Sequence, residues 1–273
     1  MKKKSVFERI AAAPHILWSV MFIIAPLLFV AYYAFTDRNG AFTWENMTSL
    51  SSYSHTFLMS IGFSLIATAV CFLIGYPLAY CMSRMSERAR SVLTVLLMLP
   101  MWISLLIRTY SLMALLDNGG LVSGFLTSLG FEKLTFIGTE GAVILGMIYD
   151  FLPYMVLPIF TSMNKLDIRY LEAAADLGCN SRKTLWRVVL PLTMPGVISG
   201  VTMVFVPSIS TFYISQKLGG GVFDLLGDTI ERQFQNAVTY HTGAAISLVM
   251  MVLILISLAI MNKFSDRGED III

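Results

Sequence analysis

The sequence predicts an all-α membrane protein with six transmembrane helices, and three observations lead to that prediction. Of the 273 residues, 56% are hydrophobic, and only 13% are charged. A soluble domain carries about 25% charged residues, and a chain of this length would still need a polar surface in water. The bilayer is therefore the solvent that fits this composition. The third observation is that six long apolar runs follow one another along the chain.

The first apolar run, residues 16–35, comes after the basic residues Lys2, Lys3 and Lys4. A basic segment before an apolar run is also typical of a cleaved signal peptide. This run has about 20 residues, which is enough to cross the hydrocarbon core, and no clean small-x-small cleavage site follows it. We therefore expect an uncleaved first transmembrane helix.

Five further apolar runs are long enough to cross the bilayer as helices. They are expected at residues 57–83, 91–116, 141–163, 195–216 and 243–261. Within these runs, Arg108 and Asp150 are the only charged residues. Since no long linker separates the runs, residues 1–273 are expected to form a single transmembrane domain.

The distribution of Lys and Arg predicts the orientation. With the amino terminus in the cytoplasm, 14 of the 19 basic residues fall in cytoplasmic segments. These are Lys2, Lys3, Lys4, Arg9, Arg84, Arg88, Arg90, Lys165, Arg169, Arg182, Lys183, Arg187, Lys263 and Arg267. Cytoplasmic segments of membrane proteins carry such an excess. We expect a multi-pass protein of the bacterial inner (plasma) membrane with both termini in the cytoplasm.

The polar segment 164–191, between the fourth and fifth spans, is predicted to form two short helices. Asp167 is a suitable N-cap for the first helix, which is expected over residues 168–177. Gly178 can adopt the left-handed conformation that closes such a helix. Either Asn180 or Ser181 then caps the second helix, which is expected to end before Pro191.

One face of the first predicted helix carries apolar side chains, two of which are small. Tyr170, Ala173, Ala174 and Leu177 follow the i, i+3, i+4, i+7 spacing of a single helical face. The alanines leave room for close approach of another surface, and a helix this short is barely stable alone in water. From the residues alone, this face is covered by a partner protein, by the bilayer or by the chain's own helix bundle.

The same segment resembles a family motif. The matching positions are Glu172, Ala173, Ala174, Gly178, Val188, Leu190 and Pro191. With these spacings the segment resembles the EAA loop of binding-protein-dependent ABC importer permeases, the inner-membrane components of such systems. The family has isoleucine where Val188 stands. The resemblance implies the six-helix type I (MetI-like) permease fold, and residues 164–191 are called the EAA loop below.

In that family the EAA loop forms a coupling helix that sits in a cleft of the ATP-binding subunit. The resemblance implies that Glu172 meets basic groups on that subunit. It implies that Ala173 and Ala174 permit close docking, and that Gly178 makes the turn. We therefore expect these four residues to couple the chain to its ATPase.

The resemblance also implies partners: a second homologous permease, two copies of a cytoplasmic ATP-binding subunit, and an extracytoplasmic substrate-binding protein, besides membrane lipid. The chain has no GxxxxGK[ST] motif to cradle phosphate, and no HExxH or GxSxG motif. The spacing of its cysteines fits no metal or redox site. We expect a transport subunit without cofactor, metal or nucleic-acid partner, with ATP hydrolysis in a separate subunit.

Further stretches bear on the substrate. Residues 75–80, 99–110, 191–196 and 212–220 resemble the permeases of spermidine/putrescine importers. The resemblance covers most of the chain and implies polyamine transport. It is less specific than the EAA loop, because permeases for aminoethylphosphonate, sulfate and iron have similar stretches. An ion-coupled secondary transporter is a more distant alternative.

A polyamine is a flexible polycation, so its route is expected to offer carboxylates and aromatic faces. Asp150 is the main candidate, because a charge inside a span is costly and usually faces a cavity. The candidate aromatic residues are Tyr110, Tyr149, Tyr154 and Tyr213. The sequence also allows a structural Asp150, paired with Arg108 or capping a kink near Pro153.

Overall fold

The computed structural model describes residues 14–130 and 135–269, with side chains described as far as residue 263. Several basic residues that predict the orientation lie outside these bounds, namely Lys2, Lys3, Lys4, Arg9 and the side chain of Arg267. The described part consists of helices, turns and loops, with one isolated antiparallel bridge. The all-α prediction is confirmed.

Helices α1 to α12 follow one another along the described chain. They are α1 Pro14–Ala34, α2 Glu45–Arg84, α3 Glu87–Trp102, α4 Leu105–Leu116, α5 Leu121–Ser128, α6 Glu140–Asn164, α7 Arg169–Asp176, α8 Ser181–Leu192, α9 Met194–Ser210, α10 Tyr213–Leu218, α11 Leu226–Gln235 and α12 Tyr240–Glu269. Four helices in the described residues are long and apolar enough to cross a membrane. The number rises to six if each of two bent pairs forms one span.

The chain divides into two compact units, Met1–Ser54 with Thr229–Leu253 and His55–Asp228 with Ile254–Ile273. The first unit has a small core of three buried alanines, Ala34, Ala244 and Ala245. Within this unit the Tyr33 carbonyl oxygen lies 3.1 Å from Nδ1 of His241. This contact fixes the end of α1 beside the start of α12.

Helix α6 is central to the second unit. It begins at a capped end, because the Thr139 hydroxyl accepts the N–H of Ala142 at 3.2 Å. Met147, Met155 and Ile159 on α6 are fully buried. A helix apolar on most of its sides belongs in the core of a bundle, so α6 is the element against which neighbouring helices pack.

Helix α9 approaches α6 closely through two glycines spaced four residues apart, Gly196 and Gly200. A Cβ atom at Gly196 would lie 2.7 Å from the Pro158 carbonyl oxygen, and one at Gly200 would lie 3.0 Å from the Met155 carbonyl oxygen. Such small-xxx-small spacing lets membrane helices pack backbone to backbone. The packing of α9 on α6 therefore depends on these two positions.

The third predicted span, residues 91–116, is not one continuous helix. Helix α3 ends at Trp102 and α4 starts at Leu105, with extended backbone at Ile103 (φ −84°, ψ 138°). The helices before and after this break differ in direction by 96°. Apolar composition does not report such a break, because the linking residues Ile103 and Ser104 carry no charge and interrupt the apolar run with a single polar residue.

The fifth predicted span, residues 195–216, also differs from the prediction. Helices α8 and α9 meet at Thr193 with a bend of 69°. Helix α9 then ends at Ser210, and the chain is extended at Thr211 (φ −67°, ψ 140°) before α10 begins. Pro207 lies inside α9 near this end, where its missing N–H removes one bond from the helical ladder.

Candidate functional site

The EAA loop contains the helix that the sequence predicts, α7, although it is shorter by one residue at each end. Asp167 starts the turn, since its carboxylate accepts the N–H of Arg169 at 3.0 Å and its carbonyl oxygen accepts the N–H of Tyr170 at 3.2 Å. Side-chain acceptors of this kind satisfy the free donors at a helix start. Asp167 thus supplies the side-chain contact expected at the start of the helix, but the N-cap position itself is Ile168 rather than the predicted Asp167.

Gly178 closes α7 in the left-handed conformation, with φ +73°. Its own N–H donates to the Ala175 carbonyl oxygen at 2.9 Å, and the N–H of Cys179 donates to the Ala174 carbonyl oxygen at 3.0 Å. These two bonds form a Schellman motif, in which glycine is favoured because it has no Cβ to strain. The predicted turn at Gly178 is confirmed as a backbone feature.

Helix α8 is capped by Asn180, whose side-chain oxygen accepts the N–H of Lys183 at 2.9 Å. The structure thereby selects Asn180 from the two predicted caps. The helix does not end before Pro191, as the sequence predicted, but continues to Leu192. A π-helical segment, Leu185–Val189, precedes the proline, and such wider turns let a helix accommodate a position that lacks an N–H.

The face of α7 is divided between solvent and the chain's own packing. Tyr170, Ala173 and the neighbouring Glu172 are exposed, and Leu177 is 84% exposed. Ala174 is only 5% exposed. Three of the four residues predicted to share a face therefore lie open to a partner, whereas Ala174 is covered by the chain itself.

An arginine that the sequence did not single out ties α3 to the start of the EAA loop. Arg90 donates from Nη1 to the side-chain oxygen of Asn164 at 2.6 Å, and from Nη2 to the Met85 carbonyl oxygen at 3.3 Å. A cavity of about 260 Å³ beside it is lined in part by Leu171 of α7. The position of Arg90 in a basic segment gave no signal of these contacts.

Asp150 is fully buried in the second unit and lies beside Arg108 of α4. Its Oδ1 atom is 3.1 Å from Nη1 of Arg108, which is 6% exposed. The same nitrogen donates to the Asp150 carbonyl oxygen at 3.2 Å, and the Thr109 hydroxyl donates to Oδ2 at 3.4 Å. The pairing with Arg108 that the sequence allowed is present, and it joins α4 to α6.

The four candidate tyrosines do not form one site. Tyr110 and Tyr213 are brought together from α4 and α10, with ring centroids 5.8 Å apart at an interplanar angle of 76°. Tyr154 lines a separate open groove of about 890 Å³, together with Lys165, Asp167 and others. Tyr149 is exposed on α6. The structure therefore offers two distinct aromatic surfaces.

The chain matches a known protein family over most of its length. The family described as binding-protein-dependent transport system inner membrane component matches residues 72–269. The spermidine/putrescine transport system permease protein PotB of Haemophilus influenzae is 36% identical over 278 residues, covering 97% of each chain. The PotB protein of Escherichia coli is 37% identical over 245 residues, covering 86% of this chain and 89% of its own.

Solved structures resemble this fold at lower identity. A bacterial ABC transporter involved in import of the acidic polysaccharide alginate contains a chain with TM-score 0.77 and 18% identity, covering 96% of this chain and 95% of that one. The alginate transporter in complex with its pentasaccharide-bound periplasmic protein gives a TM-score of 0.76 at 18% identity, covering 96% and 94%. The predicted ABC importer permease fold is thereby confirmed.

Proposed function

Because the chain belongs to the family of binding-protein-dependent transport system inner membrane components, we propose that it is the permease subunit of an ATP-driven importer of spermidine and putrescine. The observation that supports these two substrates is the 36% identity, over 97% of both chains, to a permease named for spermidine and putrescine. The chain itself transmits energy and shapes the route, and hydrolysis of ATP takes place in a separate subunit.

In this proposal α7 is the coupling helix. Its exposed residues Tyr170, Glu172 and Ala173 form the surface that enters a cleft of the ATP-binding subunit. Glu172 meets basic groups there, and the small side chain of Ala173 allows the close approach. Ala174 is buried against the rest of the chain, and its small side chain lets α7 pack closely there. Gly178 holds the turn that presents the surface.

The same family membership supports the partners that we propose. A second homologous permease completes the pore, two ATP-binding subunits lie on the cytoplasmic side, and an extracytoplasmic binding protein delivers the polyamine. The EAA loop is then cytoplasmic and so are both termini, which is the orientation that the excess of Lys and Arg favours. The membrane is the bacterial inner membrane.

Transport proceeds by alternating access. Closure of the two ATPases around ATP draws the coupling helices together, and the permease pair opens outward to accept the polyamine from its binding protein. Hydrolysis returns the pair to the inward state. The bent pairs α3–α4 and α8–α9 suit such a rearrangement, because helices broken within the membrane are common in transporters that rock around a pathway.

The route is proposed to use aromatic faces, which attract ammonium groups. Tyr110 with Tyr213 forms one such surface, and Tyr154 and Tyr149 contribute others along α6. Direct contact between Asp150 and the substrate stays a prediction, which requires the pair with Arg108 to open.

Uptake of labelled spermidine by cells with and without this chain tests the proposal, in a strain lacking other polyamine importers. Deletion is expected to abolish uptake, and unlabelled putrescine and spermidine, but not sulfate or aminoethylphosphonate, are expected to compete. Unchanged uptake on deletion contradicts polyamine transport and redirects the search to those other solutes.

Glu172→Lys tests the coupling role in the same assay. It reverses the charge on the exposed face of α7, so uptake is expected to be lost while the protein still reaches the membrane. Glu87→Lys is the matched control, because Glu87 is exposed outside the EAA loop. Equal uptake by the two variants contradicts the docking surface assigned to α7.

A further inference from the structure

Helix α10 is held firmly against α6 by the buried half of its surface. Ile214 and Leu218 are fully buried, and the N–H of Gly138 donates to the Leu218 carbonyl oxygen at 2.8 Å. On α6, a Cβ atom at Gly146 would lie 2.8 Å from Cγ2 of Ile214. The absence of a side chain at Gly146 thus permits this contact and fixes the position of α10.

Two residues on another side of α10 meet Tyr110 of α4. Tyr213 and Lys217 are four residues apart and lie on the same side of the helix. The ammonium nitrogen of Lys217 is 5.3 Å from the ring centroid of Tyr110 and 5.7 Å from that of Tyr213. Both distances are inside the range of about 6 Å over which a ring face attracts a cation.

This arrangement is open rather than enclosed. Tyr110 is 50% exposed, and Tyr213 and Lys217 are partly exposed. A rigidly held pair of rings that is accessible from outside can exchange the cation bound to it. The ammonium on the rings belongs to a flexible four-carbon side chain, which can leave by rotation about its own bonds.

We propose that Tyr110 and Tyr213 form a binding site for a primary alkylammonium group, and that Lys217 is a tethered occupant which an incoming substrate ammonium displaces. The proposal deepens the proposed function and rests on it for the identity of the substrate. The lysine side chain is an aminobutyl group. The same group forms one end of spermidine, and with a second ammonium group it makes up putrescine. A site that accepts Lys217 therefore matches the chemistry of these substrates.

A tethered occupant keeps the site from holding its substrate too tightly. A substrate ammonium that enters releases Lys217, so the number of charges on the rings does not change. When Lys217 returns, it helps the substrate to leave. A transport route needs such binding, strong enough for entry and weak enough for release.

Spermidine binding to the purified complex of permeases and ATPases in nanodiscs, without the binding protein, tests this role. A cation–π contact at an exposed site corresponds to about a two- to fivefold preference. Lys217→Ala frees the rings permanently, so spermidine binding is expected to tighten about three- to sixfold. Lys263→Ala removes an exposed positive charge elsewhere and is the control. Unchanged or absent spermidine binding in Lys217→Ala overturns the proposal.

Loss of charge repulsion is a second way in which Lys217→Ala tightens binding, and the tyrosine rings distinguish the two. If the rings are the site, the gain disappears when Lys217→Ala is combined with Tyr110→Leu. It is retained when Lys217→Ala is combined with Tyr110→Phe, which keeps the ring face. A gain that persists with Tyr110→Leu assigns the effect to repulsion and overturns the site.

Cellular uptake separates this proposal from the proposed function. If the binding variants rank as expected but deletion of the chain leaves spermidine uptake unchanged, polyamine import fails and the ammonium site stands. If deletion abolishes uptake but Lys217→Ala binds spermidine as the unaltered complex does, polyamine import stands and the ammonium site fails.

Discussion

The buried pair of Arg108 and Asp150 lets single and double substitutions distinguish a structural carboxylate from one that contacts the substrate. The two side chains come within 3.1 Å, and they are 6% and 0% exposed. The pair is separable from its neighbour Thr109, because the Thr109 hydroxyl also donates to the Leu105 carbonyl oxygen at 2.9 Å. Removing the carboxylate therefore leaves Thr109 with an acceptor.

The expected energies follow from the burial of both charges. Asp150→Leu leaves the Arg108 guanidinium buried without its counter-charge, and breaking a buried pair in this way costs about 3–5 kcal/mol. Arg108→Met is expected to cost a similar amount, because the carboxylate is then unpaired. Replacing both residues together removes both charges, and such apolar replacements are neutral or stabilising by about 1–4 kcal/mol. The two single effects are therefore expected to be strongly non-additive.

Thermal unfolding of the complex in nanodiscs measures stability, and spermidine uptake measures function. With a structural pair, both single variants unfold at lower temperature and transport poorly, and the double variant recovers both properties. A double variant that is as stable as the unaltered protein but does not transport spermidine would refute this reasoning. That result would assign Asp150 to the substrate route.

Three further changes test the packing and the EAA loop. Gly200→Ala is expected to lower stability by about 1–3 kcal/mol, because the added Cβ would press on the backbone of Met155. Gly62→Ala is the control, since a Cβ at that position meets nothing within 4 Å. Equal melting temperatures for the two variants would contradict the close packing of α9 on α6. Gly178→Val puts a β-branched residue at φ +73°, at a cost of about 1–2 kcal/mol, so ATPase stimulation by the loaded binding protein is expected to fall several-fold. Gly178→Asn is expected to keep most of it, since asparagine tolerates this region; the reverse order contradicts the turn. Arg90→Gln is expected to reduce uptake while basal ATP hydrolysis persists, and an equal loss in the exposed Arg88→Gln contradicts a specific role for Arg90.

Local chemistry made parts of the site predictable from the sequence. Asp167, Gly178 and Asn180 act through hydrogen bonds to residues within five positions of themselves. Their roles follow from backbone donors and acceptors that any helix end leaves free. The predicted end of α8 was wrong. A π-helical segment before Pro191 depends on the packing around it, and no particular residue composition marks it in the sequence.

Contacts between distant residues could not be predicted in the same way. Lys217 meets Tyr110 across more than a hundred positions, and the packing of α10 on α4 and on α6, where Gly146 allows a close approach, brings them together. Arg90 reaches Asn164 across 74 positions. A sequence reports which side chains are available, but the pairs they form depend on helix directions, and the break at Ile103 changes those directions.

A continuous set of contacts joins the EAA loop to the centre of the second unit. Helix α7 lies beside α8, α8 turns at Thr193 into α9, and α9 packs on α6 through glycines that leave no room for a side chain. Since close-packed interfaces shift as rigid bodies rather than deform, a displacement of α7 has to move α9 against α6 or change the bend at Thr193. The buried pair on α6 links that helix to α4, which carries Tyr110. If α7 is the coupling helix proposed above, its motion is expected to alter the spacing of Tyr110 and Tyr213. The proposed ammonium site would then be connected mechanically to the proposed ATP-binding subunit.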